Sequence, residues 1–186
     1  MDITEISDDS KRLLILIDHF SEPAHTREDR EIWIKKIPLA ALINRGVRKG
    51  TFKDYDTAPT LVDYKGTTRF ANISKEGEDD VADMREMGLV ERLKLATSHH
   101  IYVSAYRITP AGKDTVKDFE KKHHAAISNM LACKECGGEV DIEARDDAPY
   151  LICKECGTDE KVDIFDIDEV PYVSRPNFTE IWLPLD

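Results

Sequence analysis

The apolar positions of the chain fall into runs of helical spacing broken by stretches that alternate. Residues 7–20, SDDSKRLLILIDHF, place Leu13, Leu16, Ile17 and Phe20 on one helical face, with Ser7 or Ser10 as cap. Thr26-Arg27-Glu28-Asp29 has the form of a capping box ahead of EIWIKKI. It predicts a helix there, with Ile32, Trp33 and Ile37 inward. Pro38 suits the first turn of another short helix, LAALINR, closed by Gly46. Residues 46–60 read as a loop with a basic start. Between 60 and 73 the pattern alternates, and Lys65-Gly66 between TLVDY and TTRFANI predicts a hairpin. Helical spacing returns in SKEGEDDVADMREM (74–87) through Val81, Met84 and Met87, with Gly88 as the stop. LVERLKL and HIYVSAYRI read as two half-buried strands. Thr109-Pro110 then opens a long helix through about Leu131, lined by Val116, Phe119, Ile127, Met130 and Leu131.

This mixture predicts an α+β fold. The five residues CKECG occur twice and supply all four cysteines: Cys133 and Cys136, then, sixteen residues on, Cys153 and Cys156. Each C-x-x-C-G can turn as a tight knuckle, and two knuckles offer four soft sulfur ligands in a tetrahedron, which suits one zinc ion. GEVDIEA and PYLI between them read as two antiparallel strands around the turn Arg145–Pro149. The expectation is a zinc ribbon over 132–158. Four cysteine ligands close the metal's coordination, so the ion would be structural, with no position for a catalytic water. Two other uses compete. Iron held as in rubredoxin would make an electron carrier, although the proline usual in the second rubredoxin knuckle is missing here. A thiol switch would need exposed thiols of lowered pKa.

Charge sharpens the division. The 186 residues carry a formal net charge of -11, and residues 131–186 hold 15 Asp/Glu against 5 Lys/Arg. Nearly all the excess acid therefore lies in the C-terminal third, which would repel phosphate and attract a basic partner. The longest aliphatic run, Leu13–Ile17, is too short for a bilayer, and the N-terminus shows no basic, apolar leader. These features predict a cytoplasmic protein, a compartment where clustered cysteines favour metal over disulfides.

Residues 74–119 run helix, GLVER, two-stranded wing, then YRITPAGKDTVKDF. Tyr106 to Gly112, YRITPAG, resembles a stretch common in winged-helix regulators of the MarR and PadR type, where a wing strand enters a capped last helix. The resemblance implies a winged-helix-like domain over 1–131, with residues 46–73 as an inserted hairpin. It also implies that helix 74–87 is the recognition helix of a DNA-binding or transcription-associated regulator. The order of winged helix and zinc ribbon is similar to that of the alpha subunit of archaeal transcription factor E. MarR and PadR proteins dimerise through terminal helices, so the resemblance also implies a homodimer through helix 110–131. The competing use of that apolar stripe is packing on the chain's own core.

Helix 74–87 sets six acids against Lys75 and Arg85, a composition unfavourable against phosphates. Candidate contacts to double-stranded DNA are therefore the cluster Arg45, Arg48, Lys49 and Lys53 and the wing residues Arg92 and Lys94, with His99 and His100 beside them. The rival reading is a protein-interaction subunit or assembly factor that docks its acidic third on a complex with a basic surface. Its acidic, apolar tail (159–186) is too rich in large apolar residues for a disordered segment. Phe178, Ile181 and Trp182 are its anchors, on this chain or on a partner. No catalytic triad, phosphate-binding glycine loop or H-E-x-x-H pattern is present, so no enzymatic activity is expected.

Overall fold

Ser7 takes extended backbone angles and its hydroxyl accepts the Ser10 N–H at 3.0 Å, so helix α1 (Asp8–His19) begins where its cap predicts. A computed structural model describes residues 6–24, 30–96 and 103–165. After α1 come strand β1 (Ile34–Lys35), helix α2 (Lys36–Arg48), the hairpin β2 (Ala58–Tyr64) and β3 (Thr67–Ile73), and helix α3 (Lys75–Glu86). Strands β4 (Val90–Leu95) and β5 (Val103–Ile108), helices α4 (Pro110–Lys117) and α5 (Lys121–Leu131), and strands β6 (Val140–Ala144), β7 (Pro149–Cys153) and β8 (Asp159–Lys161) complete the order. The strands form three antiparallel sheets, ordered β1-β5-β4, β2-β3 and β6-β7-β8. The fold is mixed α+β, as the pattern predicts.

Helix α1 is the centre of the packing. Leu13, Leu14, Leu16 and Ile17 are fully buried, and α3, α4 and α5 all lie against it. The buried residues form one continuous cluster that runs from Ile6 through the helices to Cys133, Val140, Leu151, Cys153, Val162 and Ile164. The first residues of the tail thus pack on the chain itself. Phe178, Ile181 and Trp182 lie outside the described residues.

Four expectations change. EIWIKKI is not a helix: Ile32 forms a bridge with Glu22, Ile34 and Lys35 pair with Tyr106 and Ala105, and α2 begins only at Lys36. Isoleucine and tryptophan suit a pleated edge, and Arg107 of β5 lies 4.4 Å over the Trp33 ring. In consequence Ile32 is 51% exposed and Ile34 is the buried residue. The capping box itself, residues 26–29, lies outside the described residues, as do His99 and His100. Second, α2 does not close at Gly46 but continues to Arg48. Gly46 is needed because the Phe52 ring packs against it; a Cβ there would sit 2.3 Å from Phe52 Cδ2. Third, the segment after α2 is not a plain loop. Phe52 and Tyr55 are buried and stacked at 5.0 Å, and buried Asp9 accepts the Lys53 and Asp54 N–H groups at 2.6 and 2.8 Å. Asp80 binds the hydroxyls of Ser10 and Tyr55; burial first, then this carboxylate, pushes the Tyr55 phenol up.

Fourth, the long helix is two. Residues 118–120 break it, with Glu120 extended at φ -60° and ψ 141°. Val116 and Ile127 still share one helical phase across this junction, so periodicity alone gives no sign of it. Ile127, Met130 and Leu131 are buried within the chain.

Helix α5 also carries His123 into the core. It is fully buried, and neither ring nitrogen has a hydrogen-bond partner among the described residues; Asp8 Oδ1 lies 3.6 Å from Nε2. Burial holds its pKa below the ordinary 6.5, against the pull of the Asp8 carboxylate, and Lys122, Arg12 and Lys11 add to the lowering. The folded protein therefore favours neutral His123. Its contribution to stability is full above the unfolded value of 6.5 and is lost as the pH falls from there through the depressed folded value. Thermal unfolding at pH 7.5 and pH 5.5 checks this. The wild-type midpoint should drop more on acidification than that of His123→Leu.

Candidate metal centre

Two identical loops build the site. In each, the glycine after the second cysteine has positive φ (75° at Gly137, 72° at Gly157). Its N–H donates to the carbonyl of the first cysteine, Gly137 to Cys133 at 2.8 Å and Gly157 to Cys153 at 3.1 Å. Strands β6 and β7 pair Val140 with Cys153 and hold the two loops face to face. Strand β8, which the two-strand expectation did not include, adds to β7 through Tyr150–Lys161 to Ile152–Asp159.

The four sulfur atoms all lie within 4.8 Å of one another. Cys133 and Cys156 are 3.7 Å apart and Cys136 and Cys153 are 3.4 Å apart. Ligands about 2.3 Å from a tetrahedral metal are about 3.8 Å from each other, so the cluster fits such an ion. Cys133 and Cys153 are buried and Cys136 and Cys156 exposed. The Gly138 N–H points at Cys136 Sγ at 3.4 Å and the Cys156 N–H at Cys153 Sγ at 3.5 Å, as thiolate ligands require. Hydrogen bonding with the Thr158 side chain and backbone holds the Cys156 thiol down to about 6.

The six basic candidates do not form one surface of free charge. Arg45 is buried: its Nε donates to the Met130 carbonyl at 3.2 Å and its guanidinium pairs with Glu160 at 2.5 Å. Burial pushes the Glu160 carboxyl up, and Arg45 outweighs it, holding the group below its ordinary range. Lys49 also donates to the Met130 carbonyl, at 3.1 Å. Two cations thus meet the C-terminal end of α5, where the helix dipole is negative. Arg48 and Lys53 are exposed beyond them. On β4, Arg92 donates to Ser104 Oγ at 2.7 Å, and Lys94 is exposed. Helix α3 presents the opposite sign. Val81 and Met84 are buried, and Glu76, Asp79, Asp83 and Glu86 are exposed at helical spacing.

A family model described as "Uncharacterized protein MJ1567 family" matches residues 9–162. The chain belongs to that family. The matched span takes in α1 from its second residue, helices α2 to α5, the hairpin and the four cysteines. No curated protein and no solved structure matches the chain. Among the described residues no helix is long and apolar enough to cross a membrane.

The spacing alone marked the four-cysteine cluster in the sequence. It missed buried Asp9, Tyr55 and His123 and half-buried Asp80, polar groups packed against the core. The short distance from Ser7 to Ser10 is a cap signal, but nothing local says that Asp9 reaches a loop more than forty residues away.

Proposed function

We propose that the four cysteines hold one zinc ion and that the chain is a non-catalytic docking module, a winged helix braced by a zinc ribbon, which binds a basic protein surface. Zinc suits four thiolates with no open position, and it would supply rigidity and no reaction step. The winged-helix reading is supported by the order α1-β1-α2-α3-β4-β5, by the sheet order β1-β5-β4, and by the Thr109-Pro110 cap that opens α4. In that reading the hairpin β2-β3 is an insertion between α2 and α3.

The observation that carries the docking role is the sign of charge on α3. Its exposed residues are Glu76, Asp79, Asp83 and Glu86 against Lys75 and Arg85, with Lys75 paired to Asp79, where a DNA reader needs a surplus of Lys and Arg. The second reading, a DNA-binding transcription regulator, is favoured by exposed Arg48, Lys49, Lys53 and Lys94. Titration against labelled random-sequence duplex DNA, at low and at physiological salt, separates the two. The docking module shows no binding even at low salt. Binding that weakens steeply with salt overturns it in favour of the regulator.

A further inference from the structure

The hairpin β2-β3 is tied to the rest of the chain at both ends. At its tip, three side chains grip the turn between β6 and β7. The Tyr64 hydroxyl donates to the Arg145 carbonyl at 2.7 Å. Lys65 Nζ donates to the Ala144 carbonyl at 3.0 Å and to Asp146 Oδ1 at 3.2 Å. The Arg69 guanidinium donates to the Asp147 and Asp146 carbonyls at 3.0 and 3.3 Å, and lies 4.2 Å from the Phe165 ring. Four consecutive carbonyls, 144 to 147, are thus held by donors from one hairpin. They converge because β6 pairs with β7 up to Ala144 and Pro149, and because the Arg145 N–H closes the turn on the Ala148 carbonyl at 3.0 Å.

At its base, the hairpin runs into α3. Strand β3 ends at Ile73, and the next residue, Ser74, caps the helix by accepting the Gly77 N–H at 3.2 Å. The Ser74 carbonyl accepts the Glu78 N–H at 3.2 Å. Glu76 ties the approach to β2 into the same turn: its carboxylate accepts the Asp56 N–H at 3.3 Å and the Ser74 hydroxyl at 3.0 Å. Each strand has seven residues, so the ends are about 20 Å apart. Full burial comes near the ends, at Tyr64 and at Ala71 to Ile73. Between them, Ala58 to Leu61 on β2 and Thr67, Thr68 and Phe70 on β3 are exposed. A two-stranded hairpin is marginal in water by itself, so its order depends on what holds the tip.

We propose that this hairpin couples the four-cysteine ribbon to the acidic docking helix, so that α3 keeps its first turn while the ribbon is folded on its metal and loosens it when the metal is removed. The inference rests on the zinc and docking readings above. Without the ion the two knuckles lose their hold on β6 and β7, and the four carbonyls no longer converge. Tyr64, Lys65 and Arg69 then lose their partners together. The hairpin frays from its tip towards its base, where Ser74 and Glu76 stand. Glu76 belongs to the exposed acids of α3, so a basic partner meets a helix whose first turn answers to zinc. The two states differ in named contacts at two separate sites, which is what coupling between sites requires.

Amide hydrogen exchange, read residue by residue by NMR on the zinc-loaded and the chelator-stripped full chain, tests it. Stripping the wild type should speed Gly77 and Glu78 exchange about tenfold more than it speeds Leu16 in α1. The double variant Arg69→Ala, Tyr64→Phe releases the tip and leaves the cysteines untouched. It should still take up one zinc per chain and already show the fast Gly77 and Glu78 exchange. Stripping it should add nothing beyond the change at Leu16. A wild type that binds zinc but whose α3 ignores stripping overturns the coupling and leaves the metal reading standing. A loaded double variant as slow at Gly77 as the wild type overturns the hairpin as the route. A wild type that takes up no zinc overturns both readings, and the DNA titration above decides the docking role separately.

Discussion

Replacing Cys133 or Cys153 with Ser should abolish the stoichiometric metal binding proposed for the cluster and release residues 133–165 from their packing. Both thiols are buried, at 8% and 2% exposure, so neither position can recruit water to replace a lost sulfur. Structural zinc contributes roughly 10–16 kcal/mol in zinc-finger peptides, comparable with the whole stability of a domain, about 5–15 kcal/mol. A ribbon of three short strands has no comparable source of its own. The effect does not stop at residue 133. Val140, Leu151, Val162 and Ile164 belong to the same apolar cluster as α1 and α2, so their release lowers the unfolding midpoint of the whole chain. Elemental analysis should give one zinc per wild-type chain and almost none in either variant, and exchange should speed across 133–165. Full metal content in the variants would sink the four-thiolate site. Iron in the wild type, with the red colour of the ferric protein, would replace the zinc reading by the electron carrier.

The parts of the fold that were legible in the sequence are those whose cause is local. Ser7, Ser74 and Thr109 cap α1, α3 and α4 with their own hydroxyls, accepting N–H groups three residues ahead. Lys65-Gly66 fixes a hairpin by its own backbone angles. The repeated CKECG carries in its spacing the turns that gather the four thiols. What the sequence hid depends on distant partners. EIWIKKI has apolar residues compatible with a helix or a strand, and pairing with Tyr106 and Ala105 decides for the strand. The break at 118–120 leaves the apolar period intact, so only the arrangement of α4 and α5 against α1 reveals it. Phe52 is an aromatic in a stretch of charged residues, and its burial rests on the absence of a side chain at Gly46. A basic side chain, above all, reads as a surface charge until its acid is located.

Arg45 is the case that matters, and Arg45→Ala should cost about 3 kcal/mol of stability, the low end of what breaking a buried ion pair costs. The guanidinium is 8% exposed and ties three elements: its own α2, the last turn of α5 through the Met130 carbonyl, and β8 through both oxygens of Glu160, at 2.5 and 3.4 Å. Glu160 is 31% exposed, so water reaches the orphaned carboxylate and keeps the loss at that low end. Lysine in its place cannot make the two-pronged contact. Replacing both partners with apolar groups, Arg45→Met with Glu160→Leu, should restore most of the loss, because no charge is then left unpaired. Denaturant midpoints of the two single variants and the double variant measure the coupling. A phosphate-contacting Arg45 predicts the reverse pattern. Its removal would leave the midpoint within about 0.5 kcal/mol, as for ordinary surface changes, and would lower the salt dependence of DNA binding by about one phosphate. The two outcomes differ in both observables, so one variant decides whether this arginine serves the fold or a nucleic acid.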